Sequence, residues 1–449
     1  MSAGLSYKRS SSQPHRLKPF RRAVVLLLSA LLFLSGCLPP WLASPTPTAS
    51  PPLPTATPPV SPTPSTEALA TPTVSEPLVL WLPPQFDPES GSRAGNLLKE
   101  RLAAFEQENG IQIRVRLKAV NGPAGLLDSL TLASAAAPAA LPSAVLLPRR
   151  DLEDAALKGI IYPLDGLSTA IDTSDWYDYA RELALVQGSV YGLPMAGDSL
   201  GLVYRSEWLA HSPNSWQEIL EQRYTFTFPA QENQSLVTLA LYLSAGGDTQ
   251  DTQRRPLLEE TPLQTVFTWY RSAAERAVIP IWTAQVETYS QAWQAYQDQR
   301  TTMVVAWVST YLSDFPPDSL FAPLPSLGDA PASLATGWVL AVAEPDPQRR
   351  VLAARLCEWL TQSDFLGAWS EAAGVLPVRP SAFPLWKNQS FVPVFQRMAE
   401  TARPIPSNEV ITVLGPVLRE STLEVLQLKT LPASATQDAV KKVANPGVK

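Results

Sequence analysis

Gly197-Asp-Ser-Leu-Gly201 is the place in the chain where residue types and spacing most suggest covalent chemistry. It fits Gly-X-Ser-X-Gly, the spacing that presents a nucleophilic serine on a strand-to-helix turn. A serine hydroxyl needs a base beside it to take its proton. The chain has only two histidines, His15 and His211, so none follows His211 toward the C-terminus where such a base is expected. The residues after Ser199 read Leu-Gly-Leu-Val-Tyr, a strand rather than a helix. Ser199 is therefore expected to be structural, with Gly197 and Gly201 permitting a bend of the backbone. No catalytic residue is assigned, and no enzyme activity is expected. The two cysteines, Cys37 and Cys357, are too few for a disulfide framework, and with so little histidine no zinc site or other metal is expected. No cofactor motif is present either.

Non-covalent recognition is better provided for. Thirteen tryptophans are present, and flat aromatic faces pack on the C–H faces of sugars while carboxylates and amides accept hydroxyl hydrogens. Most of the thirteen fall on core patterns, as Trp359 and Trp369 do on helical ones. No block of Lys or Arg follows the first two dozen residues, which argues against nucleic acid as a partner.

The elements that must position such groups begin after an unusual N-terminus. Lys8, Arg9, Arg16, Lys18, Arg21 and Arg22 precede the apolar run Ala23–Leu34, too short to span a bilayer comfortably. The run ends in Leu34-Ser35-Gly36-Cys37, which resembles the bacterial lipobox. Residues 1–36 are thus expected to be a lipoprotein signal peptide, with Cys37 acylated and the chain held to the membrane from outside the cytoplasm. Removing them leaves 29 basic against 41 acidic side chains, net −12. From 37 to 77 Pro, Thr, Ser and Ala dominate, and Glu67 and Glu76 are the only charges. Repeated Pro-Thr steps neither pair as strands nor continue a helix, so this stretch is expected to be an extended tether.

Leu78–Leu82 is an apolar run that reads as a buried strand. Leu97, Leu98, Leu102 and Phe105 mark a helical face ended by Gly110, and Ile111, Ile113, Val115 and Leu117 alternate as a strand. A helix near Leu126–Ala135 and the run Ala144–Leu147 complete β-α-β-α-β, hence a largely parallel sheet. Later, Asp346-Pro347 caps a helix at 348–360, where Cys357 is expected to be a small buried hydrophobe.

Five motifs in order then carry a resemblance. Val190–Arg205 comes first, followed by Pro213-Asn-Ser215-Trp216-Gln-Glu218, a capping box with Ser215 as N-cap. Gln299–Trp307, Ala335–Val342 and Gly374-Val-Leu-Pro377-Val-Arg379 complete the set. Together they resemble the extracellular solute-binding proteins of the maltose-binding type, from about residue 78 to the end. The resemblance implies a type II periplasmic-binding fold of class α/β, with two α/β lobes, a hinge and an interlobe cleft. Lobe one would comprise 78–195 plus 338–385, and lobe two 196–337 plus 386–449, with hinge strands near Pro194–Asp198 and Gly337–Val339. It implies the solute receptor of an ABC importer, monomeric, taking a small solute, a saccharide first, to permease subunits. A surface sensor using the same fold to signal to a membrane partner is the alternative.

Six residues are expected to contact solute. Asp198 matches the family's first-crossing carboxylate, Trp338 stands at the second crossing, and Trp307 ends a strand. Gln85, Phe86 and Asp87 follow the first strand, where parallel sheets place ligands. The chain departs from the family at Leu147-Pro-Arg149-Arg150-Asp151 and at Ile411–Pro416, where no aromatic platform stands. A long malto-oligosaccharide stack is therefore not expected. A shorter saccharide, a polyol or an acidic solute read by Arg149 and Arg150 stays open.

Overall fold

The computed structural model describes residues 76–328 and 332–445. The expected signal peptide, Cys37 and the tether up to residue 75 lie outside the described residues.

β1 (Leu78–Leu82) is buried on both faces, as suits an interior parallel strand. It pairs in parallel with β2 (Ile113–Leu117) on one side and β3 (Ala144–Pro148) on the other. Between them run α1 (Arg93–Asn109) and α2 (Leu126–Ala136). The Ser92 hydroxyl caps α1 by accepting from the Gly95 N–H, and Gly110 stops it at φ 64°, a left-handed turn that glycine adopts without steric cost. α3 (Arg149–Leu157) follows β3 directly.

The chain continues through α4 (Asp178–Leu183) and a hairpin of β4 (Leu185–Val186) and β5 (Ser189–Val190) into the long β6 (Leu193–Arg205). Then come α5 (Trp216–Gln222), β7 (Phe226–Thr227), α6 (Leu236–Ser244), α7 (Glu260–Glu275), α8 (Tyr289–Gln297), β8 (Met303–Trp307), α9 (Val308–Asp314) and β9 (Ser319–Ala322). β10 (Ser333–Val342), α10 (Pro347–Leu360), α11 (Ser363–Ala373), α12 (Val392–Thr401), β11 (Ala402–Pro404), α13 (Asn408–Leu426) and α14 (Pro432–Ala444) complete it. The expected helix starts are present: Ser215 accepts from the Glu218 N–H, and Asp346 from the Gln348 N–H ahead of Pro347. Cys357 is buried on α10, and desolvation pushes its thiol up to about 12.

Among the described residues the principal sheet runs β2-β1-β3-β10-β6-β8-β7, with β11 beside β10 and β9 beside β6. Two long strands thread both of its ends. β6 pairs with β10 through Leu193–Ser199, with β8 from Leu200 and with β9 from Leu202. β10 pairs with β11 through Ser333–Ala335 and with β3 through Trp338–Val342. A core including Leu80, Leu146, Leu152, Leu340 and Trp369 surrounds β1, β3 and β10 and continues to Val203, Val304 and Phe321 on β6, β8 and β9. A second, including Leu202, Trp216, Phe226, Tyr270 and Leu414, lies only at the β6, β8 and β7 end. The molecule is therefore a mixed α/β protein with two cores strung on shared strands.

β6 is unbroken from Leu193 to Arg205, and Gly197 sits directly opposite Gly337 of β10. A Cβ at Gly197 would run into the Tyr179 hydroxyl, and one at Gly201 into the Phe321 ring. These glycines are there for close packing across the sheet.

Candidate ligand-binding cleft

A cavity of about 210 Å³ opens between the C-terminal end of β3 with α3 and the elements β8, α6 and α13. Asn121 and Arg150 line it from the side of β3 and α3; Gln234, Trp307 and Ile411 line it from the side of β8, α6 and α13. Thr336 of β10 forms part of the wall, opposite Asp198 in the register.

Trp307 is the last residue of β8 and the N-cap of α9, so its indole leaves the sheet where the chain turns. It is half-buried, with the Tyr289 ring 5.5 Å away between centroids. The buried Tyr289 hydroxyl has no hydrogen-bond partner among the described residues. Burial, then the nearby Glu232 carboxylate, hold that phenol well above its ordinary pKa. Burial likewise raises Glu232, which accepts from the Gln234 and Leu236 N–H groups at the start of α6. On this side the cavity itself is lined by Trp307, Leu236 and Ile411 beside the polar Gln234, with Tyr289 and Glu232 behind them.

The opposite side is cationic but largely committed. Arg149 donates to Glu153 (3.2 Å) and to the Leu185 carbonyl (3.0 Å), and burial lowers its pKa. Arg150 is more exposed; it donates to the Asn121 side-chain carbonyl (3.1 Å) and pairs with buried Asp151. Burial raises Asp151 despite that pair.

Asp198 is not a free carboxylate. One oxygen accepts from the Ser199 and Ser309 N–H groups (3.0 and 3.1 Å), and the other from the Ser309 hydroxyl (2.5 Å). It ties β6 to the first turn of α9. Burial nevertheless pushes its pKa up to about 6, against those hydrogen bonds. Cross-strand partners share a sheet face, so Asp198 lies on the same face as Thr336.

The remaining expected contacts cluster elsewhere. Phe86 is buried, edge-on to Trp338 at 5.4 Å and against Trp369 at the same distance. Gln85 is exposed, and Asp87 accepts from the Glu89 N–H in its own turn. The lining of the 210 Å³ cavity includes Trp307 but none of Gln85, Phe86, Asp87, Asp198 and Trp338. Ser199 is fully buried and donates to the Leu334 carbonyl, while His211 is exposed and hydrogen-bonds the adjacent Ser212 carbonyl. Among the described residues no group of His, Cys, Asp and Glu is placed to hold a metal ion.

Sequence reasoning passed over Asn121, Gln234, Ile405 and Asn408, all of which line the cavity. Asn408 starts α13 yet bonds α3. Its N–H donates to Glu153 (3.0 Å), and its side-chain amide to the Arg150 carbonyl (2.9 Å) and Asp154 (2.8 Å). Only the Arg149-Arg150 departure hinted at this corner.

The model of the bacterial extracellular solute-binding protein family matches residues 100–393. No curated protein matches the chain. Among solved structures, a cyclo/maltodextrin-binding protein complexed with maltotetraose superposes with TM-score 0.66 at 21% identity, over 83% of this chain and 98% of its own. The cyclic α-maltosyl-1,6-maltose binding protein from Arthrobacter globiformis gives 0.68 at 16%, over 82% and 98%. Maltose-bound MalE3 of T. maritima gives 0.63 at 19%, over 82% and 98%. These three share the fold. With two cores on common strands, a cavity lined by α3 on one side and by α6, β8 and α13 on the other, and a family match over most of the folded region, the chain belongs to the bacterial extracellular solute-binding proteins.

Proposed function

We propose that this protein is the lipid-anchored receptor of an ABC importer, capturing a carbohydrate between two lobes and presenting it to the permease. The observation that carries the reading is the cavity at Trp307: one flat aromatic face, with Asn121, Arg150, Gln234 and Thr336 around it. Apolar C–H faces with surrounding hydroxyls are what such a wall complements. The lobes we assign are 78–195 plus 338–385 and 196–337 plus 386–449, hinged where β6 and β10 cross. Reversible capture follows, because hinge bending closes the two half-sites on a bridging solute.

Among the expected contacts, Trp307 is assigned the stacking role. Asp198 supports the adjoining turn through Ser309, and Phe86 with Trp338 packs beside the ends of β1 and β3. Solute handling here involves no covalent step; Ser199, enclosed and bonded to a backbone carbonyl, has no base to activate it. The test is a thermal-shift screen of the mature protein against sugars, polyols, amino acids and small anions. A sugar should raise the melting temperature, since a ligand of the native state stabilises by mass action. Stabilisation by amino acids or anions alone would overturn the carbohydrate assignment.

A further inference from the structure

We propose that Asn408 limits the length of the captured saccharide to a single ring. The proposal rests on the carbohydrate reading above and adds the residue that sets size.

Asn408 is carried by α13, which packs in the second core through Val410, Leu414 and Leu418. Its three partners all lie on α3, whose Leu152 and Ala155 belong to the first core. The contact is thus a bridge between the two halves. It is also reinforced: the Glu153 carboxylate takes the Asn408 N–H on one oxygen and Arg149 on the other, and Arg149 is itself fixed to the Leu185 carbonyl.

The bridge divides space. On one side is the 210 Å³ cavity with Trp307. On the other is a larger hollow of about 840 Å³, edged by Val186, Gln187, Gln250, Arg254 and Thr412. Arg149, Glu153 and Asn408 line both, so they form the wall between them. The smaller space falls below the range of pockets for drug-sized ligands and suits a single ring set against Trp307. A second ring extending toward the larger hollow must displace Asn408 and break its three hydrogen bonds. That leaves the buried Glu153 carboxylate short of a donor, a cost larger than that of a hydrogen bond merely exchanged with water. Selectivity then comes from a penalty on the longer ligand rather than extra contacts to the short one.

Two substitutions open the wall by different routes. Asn408→Ala removes the side-chain amide. Asn408→Asp turns a carboxylate toward Asp154 and the Arg150 carbonyl, which the amide had donated to, while still suiting the first turn of a helix, so α13 is not penalised. The experiment titrates the mature protein and both variants calorimetrically with glucose, galactose, mannose and xylose and with their di-, tri- and tetrasaccharides. In parallel, small-angle scattering gives the radius of gyration without sugar. Wild type should favour a monosaccharide over its trisaccharide by tenfold or more. Both variants should bind the longer chains at least tenfold better than wild type does, and Asn408→Asp should enlarge the sugar-free radius of gyration. A wild type that binds tri- and tetrasaccharides as tightly as the monosaccharide would overturn the length limit while leaving sugar capture intact. If no sugar binds any form, the carbohydrate reading and the length limit that rests on it both fall. In that case an unchanged radius in Asn408→Asp would overturn the bridge as well.

Discussion

Asp198 joins β6 to α9 by accepting from Ser199 and twice from Ser309, yet burial still lifts its pKa to about 6. A carboxyl whose folded pKa is raised binds its proton more tightly in the native state than in the unfolded chain. Its stabilising contribution is complete below about pH 4, the ordinary range for aspartate, and is lost as pH rises through about 6. An asparagine in place of the acid keeps an acceptor for the Ser309 N–H but cannot ionise. Asp198→Asn should therefore gain melting temperature relative to wild type as pH is raised from about 4 to about 7. Parallel melting curves across that range would contradict the assignment. Part of this corner was legible in the sequence, because Trp307 stands at a strand end where the chain must turn. Asn408 was not, because its partners on α3 lie more than 250 positions away and its own surroundings read as an ordinary helix start.

At the scale of elements, the crossing of β6 and β10 holds the two cores on common strands. Gly197 faces Gly337 there, and the Gly197 N–H and C=O both bond Leu376. Tyr179, fully enclosed, donates its hydroxyl to the Pro377 carbonyl and fills the space a Cβ at Gly197 would need. Gly197→Ala should lower stability by about 1–3 kcal/mol through overpacking, read from urea unfolding. Adding Tyr179→Phe should return part of the loss, since it removes the oxygen met first; strict additivity of the two would show that the clash lies elsewhere. The alternation of strands and helices over 78–148 was plain from periodicity, as were the starts at Ser215 and Asp346. The close contacts at the glycines were not: a Cβ there would meet Tyr179 and Phe321, residues that only tertiary packing brings close.

For the whole molecule, the folded region and the N-terminal sequence make separate contributions. Leu34-Ser-Gly-Cys37 and the basic residues before it direct the lipid anchoring we propose, and each buried methylene of an acyl chain adds to membrane affinity. Cys37→Ala should shift the protein from the detergent phase to the aqueous phase in a partition assay; retention with an intact N-terminal segment would indicate an uncleaved anchor. The family and the fold could be expected from five short motifs in order, whereas the shape of the cavity could not, because it is assembled from α3, α6, β8, β10 and α13 together. Trp307 is the aromatic side chain among the residues that line it. Calorimetric titration of wild type and Trp307→Ala with the sugar that most raises the melting temperature tests this most directly. The variant should stay folded and bind roughly ten- to a hundredfold more weakly; an affinity equal to wild type in the folded variant would contradict the cleft as the site of capture.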